Sequence, residues 1–423
     1  MSLSKLPYKG TRDFYPEDKR VLNYIFSKFK KVTELYGYEE YDGPMLESEE
    51  LYKSKTSDEI VNNQTYLVID RSNRRLVIRP EITPTVSRMV AAKRYELQYP
   101  LRLYSIPNVW RYERQQSGRF REHWQLNVDL FGVDNNDAEF EIINIINSIF
   151  FEFGANKDQF QIRINSRKIT EYIFNEVYQF NQDQISKLYR LIDQKNKITE
   201  DEFLSDLNDI TNNSNIAQEL LKIFDAKSLD QLDSAITKSE GFKELSDLTK
   251  KLNLDNLVFD PTIVRGFNYY TGIVFEVYDT DLENKRSILG GGRYDSLINA
   301  FGVESLPVVG FGLGDGTMTN FLKLHNLLPN LKPKTNTALA TIDLELSEIQ
   351  SIVNQLRQEN INLSVNSSNA KIQNKIKWAI KSGYDYLIII GKNELVKKRY
   401  NFKGLLDKTE KELSIEQIIS EIK

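Results

Sequence analysis

Residues 103–132 read LYSIPNVWRYERQQSGRFREHWQLNVDLFG and constrain the fold more than any other part of the chain. Two runs rich in aromatic and β-branched residues flank a polar turn at 115–118, the pattern of a β-hairpin. Side chains alternate between the faces of a strand, so parity sorts them. In the first run Tyr104, Ile106, Trp110 and Tyr112 share one face, with Arg111 and Glu113 on the other. In the second, Trp124, Leu126, Val128 and Leu130 share one face, opposed by Arg121, His123, Gln125, Asn127 and Asp129. Val109 and Phe131 break the sorting by falling on the polar side. A solvated face would explain the polarity alone. It explains less well why ionic and amide side chains interleave with apolar ones bulky enough to bury the strand. The pattern is that of a binding floor.

The rest of the chain limits what such a floor can hold. With no cysteine, disulfides and thiolate metal sites are excluded, and His123 and His325 are too few for a multi-histidine metal centre. The 423 residues suffice for two or three domains. The start, MSLSKLPYKGTRDFYPEDKR, lacks an apolar signal core, and no run reaches membrane-spanning length; a cytoplasmic protein without a membrane partner is expected. The net charge of -4 divides unevenly: residues 331–423 hold 15 Lys and Arg against 11 Asp and Glu, a basic tail on an acidic body. That permits nucleic-acid contact without requiring it, since a Lys-rich solvated surface gives the same count.

Hydrophobic periodicity predicts a helix over 17–36 and another over 137–152, with strands near 38–41, 64–70, 75–78 and 160–164. Pro80 and Pro84 bracket a turn, with a helix from about Thr85. From about 167 to 254 the texture turns Asp/Lys/Asn/Gln-rich with helical spacing, predicting a helical insertion. Beyond a linker at 331–336 strands and helices alternate, which predicts a small α/β domain with a mainly parallel sheet. Ser414 and Gln417 form a capping box for its last helix.

Four segments concentrate arginine, glycine, carboxylate and phenol: RPEIT at 79–83, the polar hairpin face, RGFNYYTG at 265–272 and GGGRYD at 290–295. Glycines allow a ligand to approach the backbone, and arginines match phosphate oxygens bidentately. Arg79, Arg111, Arg119, Arg265 and Arg293 would suit a polyphosphate whose charge must be held during reaction. No P-loop or dinucleotide fingerprint is present. Singly each segment has a plain structural explanation: a glycine turn, a strand arginine paired with a carboxylate, core tyrosines, a structural His123, and a surface or capping His325.

Together and in this order the segments resemble the histidyl-tRNA synthetase family of class II aminoacyl-tRNA synthetases. KGTRDFYP resembles the family's N-terminal signature, residues 38–46 motif 1, WRYERQQSGRFREHWQ motif 2, and VRGFNYYTGIVFE and LGGGRYDSL the two histidine-specific stretches. The resemblance implies an α/β multidomain protein. Its catalytic domain (1–166 and 255–330) would hold a class II antiparallel sheet flanked by helices. A helical insertion (167–254) and an anticodon-binding α/β domain (331–423) would complete a homodimer built on motif 1. The implied activity is histidine–tRNA ligation: ATP activates histidine to the adenylate, and the acyl group passes to the 3′ end of tRNA(His). Arg265 and Arg111 are the implied catalytic arginines. Arg111, Glu113, Arg119 and Arg293 would contact ATP, accompanied by Mg2+; Gln116 would meet the tRNA acceptor end. Histidine would be held by Glu81, Thr83, Gln125, Asp129, Tyr269 and Tyr270, Glu81 and Tyr270 serving the imidazole.

One departure stands out. Motif 3 ordinarily carries an arginine for the γ-phosphate, but the run here is VGFGLGDGTMTNFL, with Thr317 at that place beside Asp315 and Gly316. Two alternatives to the enzyme follow: a regulatory subunit of histidine biosynthesis, and a non-catalytic synthetase-like tRNA sensor. The retained RGFNYYTG stretch and terminal domain weigh against the first.

Overall fold

The computed structural model describes residues 3–53, 64–113, 118–264, 269–281 and 283–423. They divide into two units, Met1–Phe14 with Leu22–Leu328, and Tyr15–Val21 with Pro329–Lys423.

The larger unit is built on a nine-stranded sheet. Its centre is antiparallel: Leu101–Ser105, Glu122–Phe131, Val308–Gly314, Ser287–Arg293, Ile273–Asp279 and Phe160–Ser166 lie side by side. Parallel strands, Glu39–Glu40 and Leu257–Phe259, close the two edges, and Asn108–Trp110 extends the pairing with Glu122–Phe131. One face packs on helices Pro16–Leu35 and Asp137–Glu152. Tyr104 donates to Glu34 at 2.8 Å, Arg102 forks onto Glu141, and the Trp124 ring meets Phe14 and Phe26. Ile142, Ile145, Ile146 and Ile149 are fully buried, which gives helix Asp137–Glu152 its apolar stripe.

The opposite face is not bare. Helix Thr83–Ala92 and the tyrosines Tyr269 and Tyr294 pack with Phe131 and Val308 in one apolar cluster. Phe131 thus falls on the polar side because that side is itself partly roofed. Helix Thr83–Ala92 begins before Pro84, and the proline sits in its first turn, where a missing N–H costs no hydrogen bond. Pro84 therefore opens a helix rather than closing a turn.

Helix Asp137–Glu152 and strand Arg75–Ile78 coincide with the sequence expectation. Between Arg167 and Asn253 every described element is helical, among them Gln182–Gln194, Glu200–Thr211, Ser214–Asp225 and Glu240–Leu252. The smaller unit carries a five-stranded sheet. Leu363–Asn366, Thr337–Ile342 and Tyr386–Gly391 are parallel, as the alternating pattern predicts. Tyr400–Gly404 and Glu410–Leu413 add an antiparallel hairpin that the sequence reading passed over. The edge strand reads EKEL, whose charges suit a sheet edge but mask its strand character. Among the described residues no helix is long and apolar enough to cross a membrane.

Candidate active site

Two adjoining cavities open on the roofed face of the sheet. The smaller, about 190 Å³, is lined by Glu81, Thr83, Arg111, Gln125, Asp129 and Tyr270, with Asn127, Tyr269 and Tyr294 beside them. Its floor comes from alternate residues of Glu122–Phe131, and its far wall from Val308–Gly314. Register pairs Asp129 with Gly310 and Gln125 with Gly314, leaving Gly312 opposite Asn127. A Cβ at Gly310 would strike the Asp129 carboxylate, and one at Gly312 the Gln125 amide. Glycine is required at both places so that polar side chains can lie across the neighbouring strand.

The chemistry of this cavity is set by burial. Tyr269 donates to Glu81 at 3.3 Å, and Tyr52 holds the Glu81 backbone carbonyl at 3.1 Å. Tyr294 donates to Asp129 Oδ1 at 2.5 Å. Asp129 Oδ2 and Asn127 Oδ1 are buried and have no hydrogen-bond partner among the described residues. Two such acceptors cost free energy unless a donor arrives, so they mark where a ligand cation or amine belongs. Burial pushes the Asp129 carboxyl up to about 7, with the Tyr294 hydrogen bond opposing and the Glu81 charge adding. Burial and the Glu81 charge likewise push both Tyr269 and Tyr270 upward, so each stays a neutral phenol.

Arg111 joins the cavities, lining both. Its Nε donates to the Pro80 carbonyl at 2.8 Å, which ties the floor to the segment bearing Glu81. Burial draws its pKa down and the Glu81 charge supports it. The larger cavity, about 780 Å³, is within the usual size of ligand sites. Glu113 and Arg119 line it as an ion pair. His123 also lines it, and burial followed by the nearby cations Arg111 and Arg12 pushes its imidazole down to about 3. His123 is thus neutral at physiological pH, and its buried Nδ1 has no partner among the described residues. His325 caps the C-terminal end of helix Asp315–Leu324, as expected, and from a half-buried position bridges Asp279 at 2.8 Å and Gln159 at 3.1 Å.

Two of the five arginines read from sequence as a polyphosphate array lie elsewhere. Arg79 is 4% exposed and is spent on Asp42 at 2.8 Å and on the Gly43 and Asn108 carbonyls. Arg293 lines neither cavity; it grips Glu139 through two bonds of 2.7 Å and caps the Val133 and Asn135 carbonyls. Its guanidinium is thus held in a structural ion pair, and the ATP contact expected from sequence draws no support from this placement. Arg265 and Gln116 lie outside the described residues. Sequence reasoning did not select Tyr294 or Asn127 as site residues. Tyr294 stood within LGGGRYDSL and Asn127 on the polar hairpin face without an assigned role; only the structure shows that both line the smaller cavity.

The motif 3 departure also has a structural basis. Asp315, 1% exposed, opens helix Asp315–Leu324, pairs with Arg12 at 2.9 Å and accepts the Trp124 amide at 2.9 Å. Arg12 in turn stacks 3.9 Å over Phe120. The Thr317 hydroxyl lies 2.9 Å from the Ile288 carbonyl, anchoring the helix to the sheet without supplying charge.

A magnesium ion finds no built cage. Among the described residues no group of three carboxylate or imidazole side chains could hold a metal. The carboxylates facing the larger cavity are engaged: Glu113 with Arg119, Glu276 with Tyr278, Asp279 with His325 and Asn284, and Asp281 with the Glu283 amide.

Comparison with known proteins agrees with this geometry. The family model described as histidyl-tRNA synthetase matches residues 10–314, and an anticodon binding domain model matches 335–423. The histidine–tRNA ligase of Leptospira biflexa serovar Patoc is 42% identical, covering 98% of this chain and 97% of its own. The chloroplastic/mitochondrial histidine–tRNA ligase of Arabidopsis thaliana is 36% identical over 92% of this chain and 80% of its own. The histidyl-tRNA synthetase structure from a Nostoc species superposes with a TM-score of 0.80 at 24% identity, covering 100% and 99% of the two chains. A Bacillus halodurans protein described as an ATP phosphoribosyltransferase regulatory subunit/histidyl-tRNA synthetase has a TM-score of 0.74 at 22% identity, covering 92% and 100%, and shares the fold. With its synthetase and anticodon-binding portions both matched, this chain belongs to the histidyl-tRNA synthetase family.

Proposed function

We propose that this chain is a histidine–tRNA ligase in which the smaller cavity holds histidine and the larger holds ATP. The observation that carries the assignment is Arg111, shared by a cavity with unpaired buried acceptors and a cavity lined by cations. Glu81 and the Tyr269–Tyr270 phenols serve the imidazole, whose neutral form offers one donor and one acceptor. Asp129, with Thr83 and Gln125, takes the α-ammonium group. The histidine carboxylate attacks the α-phosphorus, the bond to the β-phosphate oxygen breaks, and pyrophosphate leaves. Arg111 neutralises the charge gathering on the α-phosphate, joined by Arg265; Glu113 and Arg119 position the nucleotide. The tRNA 3′ hydroxyl then attacks the acyl carbon and AMP departs, contact with the acceptor end being assigned to Gln116. A magnesium ion entering with the triphosphate would supply charge balance there, and no side chain of this chain is assigned to hold it.

We assign residues 167–254 as an insertion domain and 331–423 as the anticodon-binding domain of a cytoplasmic homodimer. Histidine-dependent ATP–pyrophosphate exchange, run against all twenty amino acids, tests the reading. Exchange with histidine alone is expected. A folded protein that exchanges with none is the tRNA sensor or regulatory subunit instead. Arg265→Ala is expected to abolish exchange without loss of fold.

A further inference from the structure

The Thr317 hydroxyl anchors to the Ile288 carbonyl, so motif 3 brings no cation to the larger cavity. Cations line that cavity nonetheless. Arg119 is paired with Glu113, Arg163 with Asp260, and Lys197 with Asp193. Lys285 and Arg286 also line it and form no ion pair among the described residues. They sit where the chain enters strand Ser287–Arg293, with Arg286 two residues before the Ile288 that anchors Thr317. The register with Ile273–Asp279 slips between Val277 and Tyr278, a bulge at the point where this entry meets the cavity. Bulges locally re-aim the side chains around them. Asp279 and Asp281 line the same wall. Asp279 is held by His325 and Asn284, while Asp281 accepts the Glu283 amide.

We propose that Lys285 and Arg286 bind the β- and γ-phosphates of ATP, supplying from the entry to strand Ser287–Arg293 the charge that Thr317 does not supply from the helix. The assignment rests on the larger cavity being the nucleotide site. Two adjacent cations can share the distal phosphates, and a bidentate arginine fixes their orientation.

The test is direct ATP titration of the full chain, which needs no turnover, alongside pyrophosphate exchange. Lys285→Ala with Arg286→Ala should weaken ATP binding by about tenfold or more, as loss of charge-assisted contacts does. AMP, which lacks the distal phosphates, should bind within about twofold of wild type, as should histidine. Arg286→Lys, keeping the charge but not the fork, should fall between. Unchanged ATP affinity in the double variant overturns the proposal. So does equal weakening of AMP, which would place the pair at the nucleoside or reveal a deformed cavity. A wild-type chain without exchange would sink the ligase reading, while the ATP-to-AMP ratio would still decide this one.

Discussion

The two cavities solve opposite problems. The smaller is walled by tyrosines and glycine-relieved strands, and two of its acceptors, Asp129 Oδ2 and Asn127 Oδ1, have no partner among the described residues. The larger is rimmed by charges mostly tied into pairs, such as Glu113 with Arg119. An unpaired buried acceptor discriminates sharply, because any ligand that fails to satisfy it leaves the full desolvation cost standing. A field of cations discriminates weakly but tolerates rearrangement, because charge neutralisation can be delivered from several directions. The contrast explains how a threonine can stand in motif 3 while the floor of the smaller cavity keeps its polar row.

The comparison requires Arg293 to belong to neither cavity. Arg293→Ala should cost about 3–5 kcal/mol of stability by leaving Glu139 buried without a partner, read by denaturant unfolding. A stable variant with only a raised KM for ATP would return Arg293 to the nucleotide site. Next in size is Gly310→Ala. Its Cβ displaces the Asp129 carboxylate, and exchange should drop about 100-fold with ATP affinity intact. Equal losses for both substrates would mean that the cavities are not independent. Glu81→Ala should raise the KM for histidine roughly 10- to 100-fold and erase selectivity among amino acids; unchanged discrimination would remove Glu81 from recognition.

The smallest effect is on pH. Burial holds the Asp129 carboxyl up to about 7, and a bound ammonium favours its charged form. Binding therefore expels a proton below that pH, and the KM for histidine should climb by up to about tenfold per unit as pH falls through it. Asp129→Asn should flatten this component, whereas a profile identical to wild type would detach Asp129 from the ammonium. The sign for folding is opposite: a raised carboxyl pKa adds stability below its unfolded value that is lost as pH rises through 7. His123, pushed down to about 3, adds stability above its unfolded value that is lost as pH falls through the folded one.

Much of the floor was legible because it obeys a period of two. Gln125, Asn127 and Asp129 alternate with Leu126, Val128 and Leu130, and burial enforces that register. Arg111 and Glu81 came from short motifs, and the structure brings both to one cavity. The arginines exposed the limit of that reasoning. Arg79, Arg293 and Arg111 look alike in sequence, yet the first two meet Asp42 and Glu139, residues far away along the chain. Nothing local to RPEIT or GGGRYD announces those partners.

Sequence alone determined the antiparallel hairpin, the helical stretch after residue 167, the parallel core of the terminal sheet and the family, because each is written in local periodicity or contiguous motifs. Tertiary structure decided which cations line a cavity and which are spent on a carboxylate, why Gly310 and Gly312 must lack side chains, and that Tyr294 lines the smaller cavity. The reason is physical. Periodicity follows from neighbouring backbone geometry, whereas the partner of a buried charge is chosen by whatever distant segment the sheet order lays against it.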